Sequence, residues 1–378
     1  MNNPFIFKLI TNCMVVKGFG RSIILDLHRE KFDFIPNDLS KFISENNNKL
    51  VNLNDFSGNR KTIKSYIDFL SKSEYIFPKF LDANEIRLFP KLKLYYERPY
   101  TINSVILFDN VKALIKLNEL NCYFIQLNIE IIFSYIPSRD EIQTICKLIN
   151  KGIINSIAII VIPIFHKSIN YIIEEFSNID IFVRFCYSSI LISDNLVLVE
   201  KSKISILKYD KKIQIPTNEL SQVNFSQFMI NQYLYLESIK YNTYFNKKIF
   251  IDPEGNIKNT LSLFETFSNI NEIKNPNQLL KIVSDKKYQQ YWHVNKKMID
   301  VCKNCEFRHV CVDNRIPEQR KINEWFMKNE CNYNPYISKW KGESGYKTLK
   351  ECGIISDKYR FSINIKKVNA INKELWAT

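Results

Sequence analysis

Along the middle of the chain, apolar runs alternate with segments of helical period. Near-continuous apolar stretches at 101–108 (TINSVILF), 122–129 (CYFIQLNI), 156–165 (SIAIIVIPIF) and 179–188 (IDIFVRFCYS) predict strands. Between them, 109–120, 138–152 and 168–178 predict helices, and Ser138 with Glu141 three residues on has the form of a capping box. Strands apolar on both faces and separated by helices indicate a parallel sheet covered by helices, an α/β fold, over 96–235. Residues 1–95 read as a separate small α+β unit. In it, 21–27 (RSIILDL) is a strand, Pro36 and Asn37 open a helix with Leu39, Phe42 and Ile43 in one stripe, and 62–78 carries Ile63, Tyr66, Ile67 and Leu70 at helical spacing. Residues 236–378 form a third unit, entered through a hairpin, Ile249–Ile257, with its turn at Asp252-Pro253-Glu254-Gly255. Residues 275–302 then predict two helices that deliver Cys302.

The candidate chemistry sits there. The spacing is Cys302-x2-Cys305-x5-Cys311, then nineteen residues, then Cys331, so four of the nine cysteines fall within thirty residues. A CxxC turn points two thiolates at one centre, and two more complete a four-sulfur shell suited to tetrahedral zinc or to an iron–sulfur cluster. A disulfide or plain buried thiols is the alternative. His309 lies inside the loop, but four cysteines suffice without it. Lys303, Arg308 and Arg315 lie beside the cysteines, either to offset the sulfur charge and lower the thiol pKa values or as solvated loop charges. Cys13, Cys122, Cys146, Cys186 and Cys352 read as small core hydrophobes, Cys13 and Cys352 being the first to examine as extra ligands. His28 and His166 stand apart from any cysteine pattern, and Tyr291 and Trp292 read as core packing with shielding of the site as the alternative.

Charge changes this picture little. The chain has 378 residues, a formal charge of +14 and an apolar share of 46%, enough for a sizeable core. Its lysines are scattered without a dense arginine cluster, which argues against nucleic acid as a partner and is compatible with an acidic peptide. The longest uncharged run, Gly152–His166, is too short to span a bilayer, so no membrane partner is expected. The start lacks a basic region followed by a clean apolar core, so the expected location is cytoplasmic, where thiols stay reduced. Between residues 59 and 254 the only glycine is Gly152, and there is no GxGxxG or P-loop. The acidic residues show no distinctive spacing, and no catalytic residue is assigned.

The cysteine spacing, together with KKIFIDPEGNIKNT ahead of it, resembles the C-terminal SPASM domain of radical-SAM peptide-modifying enzymes. NCMVVKG, RSIILDLHREKFDFIPNDL, CEFRHVCVDNR and CNYNPYISKWKGESGYKTLKECGI resemble more closely the SPASM-domain peptide maturases of grasp-with-spasm systems. The resemblance implies a degenerate radical-SAM-like partial (β/α) barrel and a C-terminal SPASM-like domain, and the N-terminal strand, helices and extended tail resemble winged-helix leader-peptide recognition modules, with an ordinary packing domain as the alternative. It also implies a ribosomal precursor peptide and an ATP-grasp ligase as partners. A full SPASM domain holds two auxiliary clusters, and here the ligands of the first are missing together: no cysteine lies between Cys186 and Cys302, Thr260 follows the ribbon, and Asn314 and Arg315 stand at the late position. The retained set, Cys302, Cys305, Cys311 and Cys331, would hold one [4Fe–4S] cluster, with zinc as the alternative. No CxxxCxxC motif occurs, and the corresponding loop, LFDNV at 107–111, has no cysteine, so neither S-adenosylmethionine binding nor independent radical chemistry is expected.

Overall fold

The computed structural model describes residues 4–77, 92–149, 154–165, 170–176, 179, 182–189, 198–199, 204–209, 228–260, 263 and 265–376. His166 lies outside them, as does the side chain of Cys186. Contacts gather the chain into two units, Met1–Tyr96 with Gln222–Thr243 and Val294–Thr378, and Glu97–Ser221 with Tyr244–His293.

The first unit begins with β1 (Phe5–Phe7), β2 (Cys13–Lys17), β3 (Ser22–Asp26), β4 (Lys31–Ile35), α1 (Asn37–Asn46), β5 (Lys49–Val51) and α2 (Arg60–Lys72). β2, β3 and β4 form an antiparallel meander, and β1 pairs with β5. An antiparallel sheet usually keeps one face in water. β3 is instead buried at every position. Ile24 faces a core with Leu39, Phe42 and Ile43 of α1 and Ile63, Ile67 and Leu70 of α2. Ile23 and Leu25, one step along the pleat on the other face, pack with Phe307, Val310 and Cys311. The helical stripes expected in 37–46 and 60–72 therefore bury as their spacing requires.

The second unit carries the alternating pattern: β6 (Ile102–Phe108), α3 (Val111–Leu120), β7 (Ile125–Phe133), α4 (Arg139–Ile149), β8 (Ile154–Phe165), α5 (Asn170–Phe176), β9 (Phe182–Ser189), β10 (Leu198–Val199) and β11 (Ile204–Tyr209). After α6 (Gln232–Lys240), which belongs to the first unit, come β12 (Lys248–Ile251), β13 (Asn256–Lys258), β14 (Ser268–Asn269) and α7 (Pro276–Val283). The sheet order is β10-β11-β9-β8-β7-β6-β12-β13-β14, with six neighbouring strands, β11 to β12, all parallel. Antiparallel strands stand at both ends, so the sheet is open among the described residues. The fold is thus α/β with a parallel sheet. Ser138 and Glu141 cap α4 reciprocally: the Ser138 N–H donates to Glu141 Oε2 at 2.8 Å and the Glu141 N–H to Ser138 Oγ at 3.2 Å.

The expected hairpin is β12–β13, and β12 adds in parallel beside β6. The Gly255 N–H closes the turn on the Asp252 carbonyl at 3.0 Å, with Gly255 at φ +87°. The second helix expected before Cys302 does not form. Past α7 the chain runs through successive turns, because Tyr288 is drawn fully into the core with its hydroxyl 3.0 and 3.1 Å from the carbonyls of Lys248 and Lys258.

The rest of the first unit is made of short hairpins: β15 (Pro317–Lys321) with β16 (Glu324–Met327), β17 (Tyr333–Asn334) with β18 (Lys339–Trp340), and β19 (Ile354–Ser356) with β20 (Phe361–Ile363), followed by α8 (Ile365–Trp376). No helix among the described residues is long and apolar enough to cross a membrane.

Candidate metal centre

Two successive 3₁₀ turns, Cys302–Asn304 and Glu306–His309, carry the first cysteines. The Cys305 N–H donates to the Cys302 carbonyl at 3.0 Å, which is the tight CxxC turn the spacing predicts. It is entered through strained backbone. Val301, a β-branched residue, sits at φ +66°, ψ −55°, and the Cys302 N–H reaches the Asp300 carbonyl at 2.7 Å across it. This is a γ-turn of the rare hand, a conformation that costs about 1–3 kcal/mol.

Cys311 is fixed by an isolated bridge to Phe228 and by Thr243, whose Oγ1 donates to the Cys311 carbonyl at 2.9 Å. Cys331 is held through Arg315. The guanidinium grips Asp313 with Nε at 3.0 Å from Oδ1 and Nη2 at 2.6 Å from Oδ2, while Nη1 donates to the Asn329 carbonyl at 2.7 Å. Arg315 therefore ties the Cys331 loop to the Cys311 loop.

All four cysteines line one small cavity, about 30 Å³ in volume, together with Lys296, Val301, Arg308, Asp313 and Arg315 and the rings of Phe228, Phe307, Tyr333 and Trp340. Among the described residues, however, no three His, Cys, Asp or Glu side chains converge on a single-ion position. The four thiols border a common space without meeting at a point.

Aromatic packing dries the site. The Phe307 ring centre lies 4.6 Å from Phe228, 5.0 Å from Tyr333 and 5.9 Å from Phe32. Burial pushes the Cys302 thiol up to about 11, against the partial opposition of Arg315 and Lys296, and it raises Cys305, Cys311 and Cys331 as well. Arg315 does pull Cys302 and Cys331 down, as expected of a nearby cation, but desolvation outweighs it and the net direction is up. Lys303 is corrected. It does not line the cavity but pairs with Asp300 at 2.9 Å and lies 4.2 Å over the Phe361 ring. Arg308 does line it, and its Nη1 donates to the carbonyls of Lys17 at 2.6 Å and Cys305 at 2.9 Å.

Glu306, fully buried beside Cys305, is met by Arg21 Nε at 2.9 Å and by the Tyr333 hydroxyl, and burial raises its pKa. His309 turns away from the cavity. Its Nδ1 lies 2.6 Å from Ser238 Oγ, its ring packs on Tyr235, and burial lowers its pKa to about 3. His28 and His293 are exposed. Cys13 lies in the α1–α2 core, Cys352 in a core with Tyr336 and Val368, and Cys146 on α4 with its thiol 3.6 Å from the Glu175 carbonyl. Trp292 packs against Tyr288 and Tyr291 against Phe245 rather than lining the site.

The sequence did not single out Lys296, Phe228, Tyr333 or Trp340. Lys296 is one of two adjacent lysines, and Phe228 lies 74 residues before Cys302, so no local pattern marks either.

No family model matches the chain, and no curated protein matches it. Two solved structures of SuiB from Streptococcus suis, one bound to the precursor peptide SuiA and one bound to S-adenosylmethionine, align over 81% of this chain and 94% of theirs at 10% identity. Their TM-scores are 0.26 and 0.25, values too low to carry an argument about fold or function.

Proposed function

We propose that this chain is a maturation protein for a ribosomally made peptide, holding one [4Fe–4S] cluster on Cys302, Cys305, Cys311 and Cys331 and acting with an ATP-grasp ligase. The observation that carries the cluster is the gathering of these four thiols, distant in sequence by up to 29 positions, around one aromatic-walled cavity. Around a single zinc, with each sulfur at about 2.3 Å, the sulfurs stand about 3.8 Å apart. Four cysteines around one space also match a [4Fe–4S] cluster, which takes one thiolate at each of its four irons. The lining side chains suit its charge: Lys296, Arg308 and Arg315 against Asp313 leave a net +2 for an assembly that is anionic once four thiolates are bound.

A bound cluster supplies a one-electron site. The chain's own residues bind and shield it. Arg315 fixes the Cys331 loop, and the Phe228, Phe307, Tyr333 and Trp340 rings exclude water. The peptide role rests on the SPASM-maturase resemblance and gains support from the N-terminal region. β2 is an edge strand of its meander, and a groove beside it is lined by Lys8, Lys17 and Lys41 with Met14, Leu92 and Leu94. An extended acidic leader adds to such an edge by main-chain hydrogen bonds. S-adenosylmethionine has no part in this proposal, and the chain serves to bind and present the precursor.

The test is metal and sulfide analysis with a visible spectrum on anaerobically purified protein. The expected result is about four irons and four sulfides per chain, with broad thiolate-to-iron absorbance that is lost in Cys305→Ser. A colourless protein with about one zinc would replace this reading with a zinc-stapled peptide-binding scaffold.

A further inference from the structure

We propose that the Lys296 ammonium is the built-in counter-charge of the cysteine cavity, placed to donate to the sulfur anion that the four cysteines hold. The inference rests on the metal-centre reading above and assigns a residue that neither the cysteine spacing nor the resemblance points to.

Lys296 is 4% exposed and lines the cavity, and among the described residues its Nζ has no hydrogen-bond partner. The other two cations of the lining are committed to protein: Arg315 to Asp313 and the Asn329 carbonyl, Arg308 to the carbonyls of Lys17 and Cys305. Asp313, the carboxylate of the lining, is already gripped by Arg315. The Lys296 ammonium is thus the uncommitted cation of the cavity that the four thiols line.

This is not a surface lysine folded in by chance. Its turn is pinned on both sides: Asn242 Nδ2 donates to the Val294 carbonyl at 3.0 Å, and Asn295 Nδ2 to the Ile239 carbonyl at 3.2 Å. Burying an ammonium without partners costs several kcal/mol, so a fold that does it must recover the cost from an anion. Thiolate and sulfide are the anions this cavity is built to hold.

A counter-charge has a signature that a packing role lacks. Without metal, the ammonium has around it neutral thiols and an Asp313 already paired with Arg315, which do not offset its burial. With metal, it faces an anion and is an asset. Lys296→Met, matched in length and neutral, should therefore raise the thermal midpoint of the chelator-treated, reduced chain and lower that of the metal-loaded chain relative to wild type. Lys296→Arg, which keeps the charge, should shift the loaded chain less. The loaded Lys296→Met protein should also lose its metal to a competing chelator at least several-fold faster.

If wild type loads iron and sulfide but Lys296→Met moves both midpoints in the same direction with unchanged metal loss, Lys296 is structural and the inference fails while the cluster reading stands. If wild type takes up no iron, sulfide or zinc, the metal-centre reading fails and takes this inference with it. Should Lys296→Met not fold, Lys296→Gln provides the same neutral comparison, and failure of both in the metal-free chain would overturn the proposal, which requires the neutral variants to be the more stable there.

Discussion

Asp313 and Arg315 show how much the site depends on single buried contacts. The pair has side-chain exposures of 1% and 6%, and Arg315 and Lys296 overcome the burial of Asp313 to hold its carboxyl down at about 2. Removing one member of such a pair leaves an uncompensated buried charge, at a cost of about 3–5 kcal/mol. Asp313→Asn should therefore destabilise the chain by about that much near neutral pH. The sign of its pH dependence follows from linkage. A carboxyl depressed on folding contributes stability that is complete above its ordinary value of 3.8 and is lost as pH falls through about 2. Urea midpoints of wild type and Asp313→Asn should stay separated above that window and draw closer within it, by the roughly 2.4 kcal/mol that a shift from 3.8 to about 2 carries. A gap that is constant down to about pH 2 would show that the carboxylate charge is not the cause.

At the scale of elements, local pattern and pairing contribute differently to what can be read. The four parallel strands with their intervening helices, and the capping box at Ser138, were legible because continuous apolar runs and helical periods are local signals. β2, β4 and β5 were not, because three- to five-residue strands are defined by the partner they pair with, and the sequence does not display the partner. The stretch after α7 misled for a related reason. Its spacing suits a helix, but burial of Tyr288 against two carbonyls wins over local propensity. The hairpin turn was legible because Gly255 has a backbone need: at φ +87°, a Cβ would lie 2.9 Å from Asn271 Nδ2 and 3.0 Å from Asn269 Oδ1. Gly255→Ala should cost about 1–2 kcal/mol for the left-handed backbone alone, and more if the two asparagines cannot yield. Because this turn belongs to the second unit and the cysteines to the first, thermal stability should fall while metal content per folded chain is unchanged. An alanine variant as stable as wild type would remove the conformational argument for this glycine.

For the whole chain, the cysteine spacing disclosed the ligands but not what surrounds them. The sequence reads residues 1–95 and 236–378 as separate units, whereas contacts draw Met1–Tyr96 and Val294–Thr378 into one. Nothing local announces this, since the contacts span nearly three hundred residues. Arg21 Nε reaches Glu306 at 2.9 Å, the Phe19 N–H the Asn304 carbonyl at 2.8 Å, and Arg308 Nη1 the Lys17 carbonyl at 2.6 Å, while Ile23 and Leu25 of β3 lie in one core with Phe307 and Cys311. The N-terminal strands are thus part of the wall behind the cysteine loop. A chain beginning at residue 97 would expose Phe307 and leave the Glu306 carboxylate without Arg21, two changes of the kind that unfold marginal domains. Such a truncation is expected to retain less than about half of the metal of the full chain, or to aggregate through the uncovered apolar surface. Arg21→Ala in the full chain, which removes the charge partner but keeps the strands, should show a milder version of the same loss. A soluble 97–378 chain with full metal content would mean that the cysteine loop folds on its own and that the N-terminal strands only cover it.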